Sequence, residues 1–135
     1  MQVMTRKNQS LWIFGLAFAV WAMMYSQSPN IENIEPTDAY NIISMGRTLI
    51  LDVRSKEAFG KEHLPNAISI PLSELTKRMQ EITIAKTGDI VVYCNDGATT
   101  GPRATAKLNK AGYVNAKNLK GGIQGWRAAK YKTVK

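Results

Sequence analysis

Apolar positions follow two different patterns along this chain. Residues 11–25, LWIFGLAFAVWAMMY, form one unbroken run without a charge. Beyond about Ile31 the apolar residues fall into short runs separated by polar turns. Four of these runs read as strands: TLILDV (48–53), AISI (67–70), DIVVYC (89–94) and VNAKNL (114–119). The first and third are almost wholly apolar, as expected for strands covered on both faces. Between them lie stretches with helical spacing. In 33–47, Ala39, Ile42, Ile43 and Met45 share one face after Pro36 and Asp38, and Gly46 ends the pattern. In 71–82, Leu72, Leu75, Met79 and Ile82 recur at three and four residues behind Ser73. PRATAKLNKAGY opens on Pro102, tolerated in a first turn, and closes at Gly112, while GIQGWRAAKY (122–131) gives a last short helix. Strands alternating with helices in so short a chain predict one open α/β domain with a largely parallel sheet.

The N-terminal run adds a second region, 1–28, ahead of the domain at 29–135. Arg6 and Lys7 precede the run without an acidic neighbour, which orients it with the N-terminus in the cytoplasm and the domain outside. Its fifteen residues fall short of the roughly 20 that a straight spanning helix needs, unless Gln9 and Ser26 to Ser28 extend it. Ala17-Phe18-Ala19 suits a signal-peptide cleavage site. The apolar residues beyond it, with Trp12, Trp21 and Tyr25 near the ends, favour an uncleaved inner-membrane anchor over a secreted periplasmic form. The net charge of +8 is concentrated late: nine Lys and Arg run from Arg103 to Lys135, and no acidic residue follows Asp96. Such a surface attracts anions, but no aromatic-basic interleaving accompanies it, so nucleic acid is not the expected partner.

The 135 residues contain one cysteine, Cys94, which excludes an internal disulfide. It stands where the strand at 89–94 ends, and ligand sites of open parallel sheets lie beyond the carboxyl ends of strands. NDGATTG then leads to the next helix, and Gly97 and Gly101 let several backbone N–H groups turn inward as an anion nest. A lone cysteine is more often a small buried hydrophobe. The glycine-bearing loop immediately after it favours a reactive thiolate. The single histidine, His63, cannot build a multi-histidine metal site, and neither metal nor cofactor is expected.

LILDVRSKEAF (49–59), EHLPNAISIPLSEL (62–75), IVVYCNDG (90–97) and AGYVNAKNLKGGIQGW (111–126) follow one another in an order that resembles the single-domain rhodanese family of sulfurtransferases. The resemblance spans about Ile31 to Lys130 and implies a five-stranded parallel sheet flanked by helices. It implies that Cys94 takes a sulfane sulfur as a persulfide, from an anionic donor such as thiosulfate, and passes it to a thiol or cyanide, or to a protein acceptor. Asn95, Asp96, Gly97, Ala98, Thr99 and Thr100 would form the loop around that sulfur. Asp52 and Arg54 match the family's DVR positions, where they would support strand ends and loops by charge-assisted hydrogen bonds. His63, Gly121, Gly122 and Trp126 match positions concerned with packing.

Two departures from the family pattern bear on function. Many active members carry Arg or Lys inside the loop, whereas this loop has no cation and carries Asp96, whose charge opposes a dianion. Arg103, at the following helix, would compensate only by folding back. The loop also looks one residue longer than usual, at Gly101-Pro102. Related phosphatase and arsenate-reductase loops of that length clamp an oxyanion with an arginine six residues after the cysteine, and Thr100 holds that position here, so phosphate chemistry is disfavoured. Three readings stand: a thiosulfate-type sulfurtransferase, a membrane-tethered persulfide relay with little activity on free thiosulfate, and a catalytically idle interaction domain.

Overall fold

The computed structural model describes residues 7–25 and 30–135, in two units divided at Asn30–Ile31. The first contains helix α1 (Lys7–Tyr25). Its residues from Ile13 to Met24 are exposed, in keeping with a run that has no polar face and no core of its own to cover it. Among the described residues no helix is long and apolar enough to cross a membrane, so the expected transmembrane span has no support in the structure. The physical reason is length: fifteen uncharged residues rise only about 22 Å as a helix, against a hydrocarbon core of about 30 Å. Of the expected extensions, Gln9 lies within α1, whereas Ser26 to Ser28 lie outside the described residues.

The second unit is a five-stranded, all-parallel sheet in the order β1-β5-β4-β2-β3. Its elements are β1 (Asn33–Ile34), α2 (Pro36–Ser44), β2 (Leu49–Asp52), α3 (Lys56–Lys61), β3 (Ile68–Ser69), β4 (Ile90–Tyr93), α4 (Thr100–Lys110), β5 (Ala116–Leu119) and α5 (Gly122–Ala128). All four residues of the central β4 are buried, as its unbroken apolar sequence requires. Side chains alternate across the pleat, and β4 therefore feeds two separate cores. Ile90, Val92 and Cys94 pack with Leu51, Leu75, Ala104 and Leu108. Val91 and Tyr93 pack on the other face with Ile34, Leu64, Ile123 and Trp126. Full burial of each aliphatic side chain stabilises the fold by roughly 1.5–3 kcal/mol.

Four segments depart from the pattern-based expectation. Residues 71–82 form two 3₁₀ turns, Leu72–Glu74 and Met79–Glu81, rather than one helix. The apolar spacing still buries Leu75 and Ile82, but backbone pairing works against a continuous helix: Leu72 N–H donates to Val53 O, and Glu74, Leu75, Glu81 and Ile82 bond three residues back. α4 begins at Thr100, two residues before Pro102, because the third position of a helix still lacks an intrahelical acceptor and tolerates the missing N–H. β1 and α3 were not legible from periodicity. β1 has only two residues, one of them Asn33, and α3 is set by Ser55, whose Oγ accepts Ala58 N–H at 3.2 Å.

Candidate active site

Cys94 sits one residue past β4, at the carboxyl edge of the sheet, and is buried. Two hydrogen bonds from the start of α5 hold the chain there: Ile123 N–H donates to Cys94 O at 2.9 Å and Gln124 N–H to Asn95 O at 3.1 Å. With its backbone fixed between β4 and α5, the thiol faces the first turn of α4. Gly101 in that turn is buried, and a Cβ there would collide with Asn118 Oδ1 and stand 3.2 Å from Cys94 Sγ. Position 101 therefore requires glycine for close approach, which accounts for the Gly101-Pro102 pair. Thr105 Oγ1 caps the contact by donating to Gly101 O at 2.9 Å.

The loop itself turns at Gly97, whose φ of +73° suits glycine. Gly97 N–H donates to Cys94 Sγ at 3.2 Å, the arrangement that stabilises charge on the sulfur. Ala98 N–H is turned to Asp96 instead and donates to Asp96 Oδ1 at 3.0 Å. That same oxygen lies 3.9 Å from Cys94 Sγ. The Asp96 side chain is thus part of the sulfur's immediate surroundings, while the residue as a whole is exposed. Asn95, Ala98 and Thr99 are exposed around it, and Thr100 opens α4. Arg103 is exposed on α4, and among the described residues its guanidinium pairs with no side chain of the loop. The anticipated fold-back that would offset Asp96 is not part of this structure.

Asp52 and Arg54 lie behind the site, on the Tyr93 side of the sheet. Asp52 is fully buried and accepts Arg54 N–H at 2.9 Å, Nε at 3.1 Å and Nη2 at 2.7 Å. Arg54 Nη2 also donates to Glu62 O at 2.6 Å, and its guanidinium lies 5.5 Å from the Tyr93 ring centre. Burial opposes the Arg54 charge, but the hydrogen bond and charge of Asp52 raise its pKa above the ordinary value. Burial first, and the Asp52 carboxylate second, push the Tyr93 hydroxyl far above its ordinary range. Tyr93 stays protonated and accepts Leu64 N–H at 3.1 Å. His63 stacks on Phe59 at 3.9 Å and bonds Phe59 O through Nδ1, and its backbone pairs with Val134.

One feature beside the cysteine was not foreseen from sequence: Asn118 of β5, which reaches under the loop to donate to Gly97 O at 3.0 Å. The available signal was a polar residue between Ala116 and Leu119 in a strand whose neighbours are apolar. A cleft of about 560 Å³ opens beside the loop, with Thr100 on one wall and Arg54, Lys56, Leu72 and Glu74 on the others. Among the described residues no group of three His, Cys, Asp or Glu side chains could hold a metal ion.

A model of the rhodanese-like domain matches residues 35–129. The chain belongs to the rhodanese-like domain family. It is 37% identical over 71 residues to thiosulfate sulfurtransferase PspE of Escherichia coli, covering 53% of this chain and 67% of that protein. It is 32% identical over 111 residues to the adenylyltransferase and sulfurtransferase uba4 of Ogataea parapolymorpha, covering 82% of this chain but only 28% of that longer protein. The fold superposes on a rhodanese-related protein from Thermoplasma volcanium with a TM-score of 0.63 at 28% identity, covering 76% of this chain and 97% of the other. Relatives named as sulfurtransferases are thus among the proteins that this chain resembles.

Proposed function

We propose that this rhodanese-like domain is a sulfurtransferase that carries a sulfane sulfur on Cys94. The observation that supports it most is the seat of the thiol: Sγ lies at the carboxyl end of the central strand, accepts the Gly97 N–H and faces a glycine that leaves it room. In the first half-reaction the Cys94 thiolate attacks the outer sulfur of thiosulfate. A Cys94 S–S bond forms, the sulfur–sulfur bond of the donor breaks, and sulfite departs with its electron pair. In the second, cyanide or a thiolate attacks the outer persulfide sulfur and returns Cys94 as thiolate, releasing thiocyanate or a new persulfide. Backbone N–H donation to the sulfur favours the anionic forms at both stages.

A second reading has its own support. Asp96 Oδ1 lies 3.9 Å from Sγ, and no loop cation offsets it, so a dianionic donor meets repulsion here. A relay that receives sulfur from a protein or a less charged persulfide avoids that cost. Mass spectrometry of the full chain after exposure to thiosulfate, and separately to polysulfide, decides between the two. Sulfur transfer on Cys94 predicts one added sulfur, removed by cyanide and absent in Cys94→Ser. Loading by polysulfide alone selects the relay. Wild-type protein that takes sulfur from neither donor leaves the idle domain as the reading.

We propose further that residues 1–28 direct the domain out of the cytoplasm, on the strength of Arg6 and Lys7 before the apolar run. A reporter fused after Lys135 that works only when exported should be active. Full-length mass in the membrane fraction identifies an anchor, a soluble form starting near Val20 identifies a cleaved signal, and a silent reporter rejects export.

A further inference from the structure

The loop around Cys94 is braced from below by a side chain that belongs to neither the loop nor the helices at its rim. Asn118 is 1% exposed. Its Nδ2 donates to Gly97 O at 3.0 Å and to Asn33 Oδ1 of β1 at 2.8 Å. A carbonyl oxygen only accepts, so the contact with Gly97 O fixes which end of the amide faces the loop. Both amide protons are then used. Among the described residues Oδ1 is buried without a partner, beside the space at Gly101 that adjoins Cys94 Sγ. An orphaned buried oxygen is uncommon in a native fold, and here it accompanies the one orientation in which Nδ2 can reach the loop.

The consequence lies in the Gly97–Ala98 peptide. A trans peptide is a rigid plane whose C=O and N–H point to opposite sides. Here the C=O is bound by Asn118, inside the sheet, and the N–H points to Asp96 Oδ1, on the side of the sulfur. Gly97 has no Cβ to resist rotation, and its φ of +73° is one of several it can adopt. Without Asn118, rotation of this peptide would bring the negative end of a carbonyl toward a site that must hold an anionic sulfur.

We propose that Asn118 is a positioning residue for Cys94. Its amide locks the Gly97–Ala98 peptide with the Gly97 carbonyl turned away, so that the sulfur and an incoming anion meet the Gly97 N–H and no carbonyl oxygen. The proposal deepens the sulfurtransferase reading and rests on it in its kinetic part, while its structural part is independent.

The test uses the full chain with Asn118→Leu, which keeps the branching and heavy-atom count and removes the donors, and Asn118→Ser as a smaller second variant. Amide hydrogen exchange at Gly97 and Ala98 is followed by NMR. Cys94 loading by thiosulfate is followed by mass, and its alkylation by neutral iodoacetamide serves as a charge-blind reference. In wild type the Ala98 amide should be protected to the degree of the neighbouring strand amides. In the variants its exchange should rise by about tenfold or more relative to amides of β4. Thiosulfate loading should fall by about tenfold or more, with alkylation changing by less than about threefold, because a turned carbonyl opposes an anion and not a neutral reagent. The proposal is overturned by an unprotected Ala98 amide in wild type, which needs no variant to fold. It is overturned equally by unchanged exchange in both variants, or by equal losses of loading and alkylation. If wild type takes up no sulfur from any donor, the function reading fails and amide exchange alone decides the role of Asn118.

Discussion

Tyr93 and Cys94 are neighbours in the chain, yet the pleat of β4 sends them to opposite faces of the sheet, and the polar groups around each are treated differently. On the Tyr93 side a fully buried carboxylate is matched bond for bond: Asp52 holds Arg54 through backbone and guanidinium, and Arg54 goes on to the Glu62 carbonyl. On the Cys94 side the accounts stay open. Among the described residues the thiol has a single backbone donor, Asp96 faces it without a counter-charge, and Asn118 Oδ1 has no partner. A fold that needs a charge for its own stability completes every bond to it.

Removing the Asp52 carboxylate is the strongest way to break that contrast. Asp52→Ala strands the Arg54 guanidinium, whose side chain is only 12% exposed. Loss of one partner of a buried pair costs about 3–5 kcal/mol, because the other charge stays in the low-dielectric interior unpaired. Denaturant unfolding should show that loss for Asp52→Ala and less than about 1 kcal/mol for Cys94→Ser, a near-isosteric change. Similar stability of the two variants would mean that the Tyr93 side is no more a scaffold than the loop.

The same contrast sets how much was readable in advance. β2 and β4 were legible because strands buried on both faces are dominated by apolar residues, as Leu49 to Leu51 and Ile90 to Tyr93 are. The turn around Cys94 was legible because Gly97 and Gly101 after a strand-end cysteine leave few alternatives for the backbone. Residues 71–82 read as one helix because apolar spacing of three and four fits successive 3₁₀ turns as well as a helix, and the backbone bonds that close three residues back separate the two. Asn118 escaped notice because its importance lies in a contact with Gly97, 21 residues away in the chain, which no local pattern encodes. Its neighbour Lys117, on the other face, has the same polarity and an exposed ion pair with Glu32.

The next test sharpens the open side. Asp96 has two roles in the structure, a negative charge 3.9 Å from the sulfur and an acceptor for Ala98 N–H. Asp96→Asn removes the charge and keeps an acceptor oxygen, while Asp96→Ala removes both. Unit charges about 6 Å apart at an effective dielectric near 20 interact by roughly 2–3 kcal/mol, and solvent at this exposed residue reduces that considerably. Thiosulfate KM should therefore fall in Asp96→Asn by up to about tenfold, with the gain shrinking in high salt. Asp96→Ala should gain less, because the freed Ala98 N–H no longer braces the turn. If Asp96→Asn loses activity while folded, the carboxylate is needed at the sulfur and the repulsion argument is wrong.

The smallest effect belongs to the closed side and appears only with pH. Glu62 accepts from Thr133 Oγ1 at 2.7 Å and pairs with Arg127 at 2.7 Å, while its carbonyl receives Arg54. The Thr133 hydrogen bond holds its carboxyl below the usual carboxylate value; burial opposes it, and the charge and hydrogen bond of Arg127 add smaller lowering effects. A depressed folded-state pKa means that the unfolded chain binds the proton more readily. The stabilisation is thus complete above the unfolded value of about 4.3 and disappears as pH falls through the lower folded value. Wild type should exceed Glu62→Gln in stability at pH 7 by no more than about 1 kcal/mol, since the pair is partly exposed and screened. The two unfolding midpoints should converge as the pH drops below about 4. Exchange at the Val134 amide, which pairs with His63 O, should report the same loosening locally. A difference that persists unchanged to pH 3 would show that Glu62 acts by packing, and that the completed bonds on this side of the sheet end at Arg54.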